Sequence, residues 1–231
     1  MMIGNIEFFY INLKGRVQRQ KWIETQLTRL GVPYKRFEGI CPTPESLQHG
    51  QYQNFFNKAT SEYKELFYSK NEQMVKQSLG VFGCYISHYE LHKMMKNNKR
   101  PYIVLEDDVR LGRKGYPHPN LLENINKFMN DSDISDWDML RSMWDSTNEI
   151  KKIENTHYLS NFSTENSHNI CGGAHFTIVR CANKLINYLD SECLYDVDAV
   201  FTTNRLNVYH TSLGIETKWM GSDIPKTIPL K

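Results

Sequence analysis

Long hydrophobic runs are missing from this chain. No apolar stretch approaches the roughly eighteen residues that a membrane-spanning helix requires. The first residues, Met1-Met2-Ile3-Gly4-Asn5, lack the basic segment and apolar core of a secretory leader, so a cytosolic protein is expected, one that visits a membrane surface at most. Cysteine is sparse: Cys41, Cys84, Cys171, Cys181 and Cys193 are odd in number and include no C-x-x-C pair. That pattern excludes a zinc ribbon or a dithiol redox motif and leaves small, reduced core residues as the expectation. Charge of one sign is also lacking. A net charge of +2, from 28 basic and 26 acidic side chains, argues against a dedicated nucleic-acid binder. Repeats and low-complexity tracts are absent, and 231 residues suit a single domain with a full core, residues 1–231 throughout.

What is present alternates between strand and helix. Phe8 to Leu13 is a continuous apolar run, broken by Lys14-Gly15-Arg16. From Val17 to Leu30 apolar residues recur at helical spacing, and Gly31 supplies a C-terminal stop. Pro33 then opens a second strand, Tyr34 to Glu38, and strand–helix–strand favours parallel pairing. Cys41 to Leu79 is polar with spaced aromatics and reads as one or two short helices at the sheet edge, either a lid or acceptor-side insertion or an ordinary packing excursion. A helix is expected over Gly80–Asn97, a strand over Tyr102–Leu105, a helix over Leu121–Met129 and a strand over Trp137–Met143. Ile150 to Asn169 shows no periodicity. Cys171–Val179 reads as a strand, Ala182–Leu189 and Ala199–Leu206 as helices, and Val208–Leu213 as a last strand. The pattern indicates an α/β fold with a mostly parallel central sheet flanked by helices.

The chemistry concentrates where Ile103-Val104-Leu105 runs into Glu106-Asp107-Asp108. Three adjoining carboxylates beside a buried strand are costly without a cation, and a divalent metal carrying phosphates is the simplest counter-charge. In an open α/β sheet, ligands bind beyond the carboxyl ends of the strands, where this trio lies. If the segment stays extended, Glu106 and Asp108 share one face and Asp107 takes the other. Asn12, Arg16 and Arg19 follow the first strand, and in a parallel sheet they open onto the same crevice, where arginine forks suit a diphosphate. Ser87-His88 sits in the helix beginning at Gly80, as a structural pair or a ligand contact. Asp196 and Asp198 precede a helix, which suits either N-capping or general-base work on an incoming hydroxyl.

Several of these stretches agree in order with one family. Phe9-Tyr10-Ile11-Asn12-Leu13 with Arg16 and Arg19, then Gly80-x-x-Gly83-Cys84-x-x-Ser87-His88, then Val104-Leu105-Glu106-Asp107-Asp108-Val109 resemble glycosyltransferase family 25. Trp137-Asp138, the strand from Gly172 to Val179 with Ala182, and Asp196-x-Asp198 fall where comparable family elements would lie. The resemblance implies a GT-A-type, Rossmann-like nucleotide-sugar fold and inverting transfer of a hexose, galactose most often, from a UDP-sugar to a glycan hydroxyl. It further implies Mn²⁺ or Mg²⁺ at Asp108 and Glu106, with Asn12, Arg16, Arg19, Ser87, His88, Glu106 and Asp107 as donor contacts. Asp198 or Asp196 is the implied base. The partners are then a nucleotide sugar and a glycan acceptor, with lipooligosaccharide or other surface-glycan synthesis as the setting. Departures occur after His88, where Tyr89-Glu90-Leu91-His92 lacks the family's frequent tryptophan, and at His175-Phe176, where tyrosine is commoner. A phosphotransfer or receiver-type domain also places acidic pairs at strand ends, but after its first strand, which here ends at Asn12 and Lys14. The remaining alternative is a non-catalytic protein of the same fold that uses the crevice to bind a glycan or partner.

Overall fold

The computed structural model describes residues 6–112, 116–130, 136–142, 151–153, 156–160, 176–194, 197, 205–211 and 216–217. The chain opens as expected with β1 (Glu7–Leu13), α1 (Val17–Leu30) and β2 (Tyr34–Gly39), and β1 and β2 pair in parallel. Gly31 caps α1 at φ 73°, a left-handed conformation that glycine enters without steric penalty. Three short helices follow: α2 (Pro44–Gln48), α3 (Gln53–Lys58) and α4 (Ser61–Phe67). The long helix α5 (Glu72–Met94) begins well before Gly80, because Asn71 accepts a hydrogen bond from the Gln73 backbone N–H and caps it. Next come β3 (Tyr102–Glu106), the two-residue β4 (Val109–Arg110), α6 (Leu121–Met129) and β5 (Met139–Ser142). The chain then forms β6 (Lys151–Ile153), β7 (Thr156–Ser160), β8 (Phe176–Val179), α7 (Ala182–Ser191), β9 (Val208–Thr211) and β10 (Glu216–Thr217).

Eight strands form one sheet in the order β2-β1-β3-β8-β5-β9-β7-β6, and β4 pairs with β10 separately. The sheet is mixed rather than mostly parallel. β1 runs parallel to β2 and β3, and β5 parallel to β9, whereas β8 lies antiparallel between β3 and β5. An apolar run reveals burial but not direction, so the reversal at β8 has no local signal. The aperiodic stretch after residue 150 contains an antiparallel hairpin, β6 with β7. It lies at the far side of the sheet, where β7 pairs with β9 and β6 is the edge strand. The helix expected over 199–206 falls mainly outside the described residues.

Side chains alternate across the sheet and divide the core into two layers. Phe8, Tyr10, Ile103, Leu105, Leu140 and Ile178 face α1 and α6 with Ile23, Leu27, Ile125 and Phe128. Phe9, Tyr102, Val104, Met139 and Val179 face α5 and α7 with Phe82, Tyr85, Ile86, Leu185 and Leu189. The short helices join this second layer: Phe56 stacks on Phe82, and Phe55 meets Tyr85 edge-on. Of the described cysteines, Cys41, Cys181 and Cys193 are exposed and Cys84 is half-buried, which corrects the expectation of core thiols. The three exposed ones flank the ends of strands and helices, where the core does not reach. No helix among the described residues is long and apolar enough to cross a membrane.

The register of α5 against the end of β2 is set at two positions one helical turn apart. A Cβ at Gly83 would come within 2.6 Å of the Ile40 carbonyl oxygen. The Ser87 hydroxyl accepts a hydrogen bond from the Ile40 N–H at 2.8 Å and donates to the Gly83 carbonyl at 2.6 Å. Gly83→Ala gains helix propensity of about 1 kcal/mol, but the new methyl meets backbone that cannot swing away, and overpacking of that kind costs about 1–3 kcal/mol. The expected outcome is net destabilisation, seen as a lower urea midpoint. A midpoint raised by the added propensity would contradict this contact.

Candidate active site at the end of the third strand

The parallel pairing of β1 with β3 sets Ile11 opposite Glu106, which brings Asn12, near the end of β1, beside Asp107 just past the end of β3. Glu106 is the last residue of β3, and Asp107-Asp108 form a turn into β4. Strand alternation therefore stops at Glu106, and the expected sharing of a face by Glu106 and Asp108 does not extend through the trio. Asp107 and Asp108 turn toward α1, where Arg19 meets both, while Glu106 turns toward α5, where His88 meets it.

Asp107 is the most enclosed of the three. Asn12 Nδ2 donates to its Oδ2 at 2.7 Å, and an Arg19 guanidinium nitrogen donates to its Oδ1 at 2.9 Å. The same nitrogen lies 3.8 Å from Asp108 Oδ2. The counter-charge that the sequence demands is thus supplied in part by the chain's own Arg19. Asn12 is itself held: its Oδ1 accepts from Arg36 Nε at 3.0 Å, which fixes its Nδ2 as the donor to Asp107. Arg16 heads α1 as an exposed residue, and its carbonyl accepts from Asn12 Nδ2 at 3.3 Å.

Glu106 belongs to a second group. His88 Nε2 lies 3.2 Å from its Oε1, and Cys84 Sγ lies 3.8 Å from the same oxygen. Cys84 and His88 are one turn apart on α5, adjacent to the Gly83 and Ser87 stripe that grips Ile40. The Gly-Cys-x-x-Ser-His sequence therefore carries two helix faces, one for packing and one for the site. Ser87 serves the packing face, whereas His88, Asn12, Arg19, Glu106, Asp107 and Asp108 converge at the strand ends. Asp196 and Asp198 lie outside the described residues.

Three contributors were not singled out from the sequence. Buried Gln26 of α1 donates to the Val109 carbonyl at 3.0 Å and accepts from the Leu111 N–H at 2.8 Å, anchoring the chain as it leaves the acidic turn. Arg36 orients Asn12, and Cys84 joins Glu106. A glutamine on a helical face carries an ordinary core pattern, so no local signal marks Gln26, whereas Cys84 stands within the Gly-Cys-x-x-Ser-His motif but carries no site role there. Trp137-Asp138 lies at the opposite end of the sheet: the Asp138 carboxylate accepts from the Asn207 N–H at 2.8 Å and ties the starts of β5 and β9.

Burial pushes the Asp107 carboxyl above its ordinary value, and Asp108 adds to the rise against the lowering pull of Asn12 and Arg19. A carboxyl raised on folding contributes stability that is present below its unfolded pKa of about 3.9 and lost as pH rises through its folded value. Asp107→Asn cannot ionise, so its stability relative to the native sequence should improve as pH rises above about 3.9. Denaturant midpoints of both proteins across that range check the sign, and a difference that stays constant with pH would contradict it.

The family model described as glycosyltransferase family 25 (LPS biosynthesis protein) matches residues 5–200. Procollagen galactosyltransferase 1-A of Xenopus laevis is 29% identical over 105 residues, covering 45% of this chain and 16% of that protein. A glycosyltransferase 25 family member of Aedes aegypti is 23% identical over 140 residues, covering 60% of this chain and 21% of that protein. One of Drosophila melanogaster is 24% identical over 127 residues, covering 53% and 19%. These matches thus span about a fifth of the length of the curated relatives. With its family-model match running through β1, α5 and the acidic turn after β3, the chain belongs to glycosyltransferase family 25.

Proposed function

We propose that this chain transfers a hexose, galactose first, from a UDP-sugar to a hydroxyl of a glycan acceptor, with inversion at the anomeric carbon. The observation that carries the reading is the convergence of Asn12, Arg19 and the Glu106-Asp107-Asp108 turn at the carboxyl ends of two parallel strands. Crevices of that kind receive nucleotides in open α/β sheets. Family membership supports glycosyl transfer, and the name of the Xenopus relative supports galactose. The setting proposed is surface-glycan synthesis, including lipooligosaccharide, at the cytoplasmic face of a membrane.

The carboxylate chemistry of the turn suits a hard divalent ion. Asp107 is committed to Asn12 and Arg19, whereas Glu106 and Asp108 keep 22% and 15% of their side-chain surface exposed and offer the oxygen donors that Mn²⁺ and Mg²⁺ prefer. Asp108 and Glu106 would hold the ion, which when bound supplies positive charge to a leaving diphosphate. Arg19 and the exposed Arg16 add positive charge at the same strand end, where guanidinium forks pair well with phosphate oxygens. Arg36 and Asn12 keep Asp107 in place, so the turn does not have to reorganise when charge develops. Asp198, or else Asp196, removes the acceptor proton from the face opposite the departing group.

A UDP-release screen across UDP-hexoses and glycan acceptors tests the reading. The expected result is acceptor-dependent release that is greatest with UDP-galactose, and about a 10²–10⁴-fold lower kcat in Asp198→Asn, the range for losing a general base. Absence of acceptor-dependent release with every UDP-hexose would overturn it.

A further inference from the structure

We propose that Cys84, His88 and Glu106 form a binding site for a borderline-soft divalent cation, Zn²⁺ above all, on the α5 side of the acidic turn. Their three ligand atoms, Sγ, a ring nitrogen and a carboxylate oxygen, all lie within 4.8 Å of one another. Two edges of the triangle are known individually: His88 Nε2 to Glu106 Oε1 is 3.2 Å, and Cys84 Sγ to the same oxygen is 3.8 Å. A tetrahedral zinc with bonds of about 2.0–2.3 Å separates its ligands by about 3.3–3.6 Å. These two edges lie within a few tenths of an ångström of that spacing, and the third, between Cys84 and His88, is no longer than 4.8 Å.

The supports of the three ligands are rigid. Cys84 and His88 are four residues apart on α5, the spacing at which a helix presents two ligands to one ion. The Gly83 and Ser87 contacts with Ile40 hold that helix in place, and Glu106 ends a central strand. His88 is fully buried with Nε2 directed at Glu106, while Cys84 and Glu106 are only partly covered. An ion thus reaches the group from the side on which Cys84 and Glu106 are partly exposed. The donor chemistry sets the cation class: thiolate and imidazole favour Zn²⁺ over Mg²⁺ or Mn²⁺, which favour oxygen. Binding deprotonates the Cys84 thiol and releases that proton to solvent, and it requires the neutral imidazole with its Nε2 lone pair. The site shares Glu106 with the proposed donor-side metal but draws its other two ligands from α5, so its presence does not depend on the transferase reading.

Equilibrium dialysis of the reduced full chain against Zn²⁺, with Co²⁺ absorbance as the spectroscopic probe, tests the site. The expected result is a thiolate-to-cobalt charge-transfer band that Cys84→Ser removes, with Zn²⁺ affinity lowered at least about tenfold. A second measurement uses the unaltered protein: Zn²⁺ should slow alkylation of Cys84 by iodoacetamide, followed by peptide mass mapping. A charge-transfer band that persists in Cys84→Ser, or Cys84 alkylation at the same rate with and without Zn²⁺, would overturn the proposal. UDP release measured with Mn²⁺ is a separate readout, so failure of the zinc site and failure of the transferase reading are told apart.

Discussion

The Asp107 carboxylate is the point on which the rest of the site depends. It accepts from Asn12 at the end of β1 and from Arg19 on α1, so one buried anion joins two adjacent strand ends to the helix between β1 and β2. Breaking such a partly buried pair from one side leaves a charge with reduced solvation, so each partner depends on the others. Arg36 extends the arrangement to β2 through Asn12. Gln26 continues it past the turn by meeting the backbone on either side of Arg110. The result is a turn whose three carboxylates have separate tasks. Asp107 is tied to Asn12 and Arg19, and Glu106 and Asp108 sit at its two flanks, each partly open to solvent.

The same economy governs α5. Gly83 and Ser87 form a stripe that packs on the Ile40 backbone, and Cys84 and His88 form the neighbouring stripe that meets Glu106. The helix approaches closely at Gly83, and one residue further along each turn Cys84 and His88 lie beside the strand end. Further along, buried His92 bonds through Nδ1 to the Tyr102 hydroxyl at 2.8 Å, and burial with His88 nearby holds its pKa well below the ordinary value. A neutral imidazole there keeps the interface between α5 and β3 free of buried charge.

Much of this was legible in the sequence where local physics decides. Gly31 and Pro33 punctuate β1-α1-β2, and the apolar run into Glu106-Asp107-Asp108 marks a strand end that needs positive charge. Legibility fails where the deciding contact is distant in sequence. Nothing near Phe176 says that β8 runs antiparallel between β3 and β5. Nothing near Gln26 says that its amide serves residues 83 and 85 positions away. A face shared by Glu106 and Asp108 requires extended chain, but the backbone turns at Asp107, where Asn12 and Arg19 capture the carboxylate. Cys84 has the pattern of a core residue until β3 is placed against α5.

The central claim is that this turn, held by Arg19 and Asn12, receives a metal-bound uridine diphosphate. Calorimetric titration of UDP into the protein with Mn²⁺ and with chelator, repeated on Asp108→Asn, tests it most directly. The account predicts UDP binding that requires Mn²⁺ in the native sequence and a loss of that Mn²⁺-dependent binding in Asp108→Asn with an unchanged melting temperature. Equal, metal-dependent UDP affinity in both proteins would contradict it.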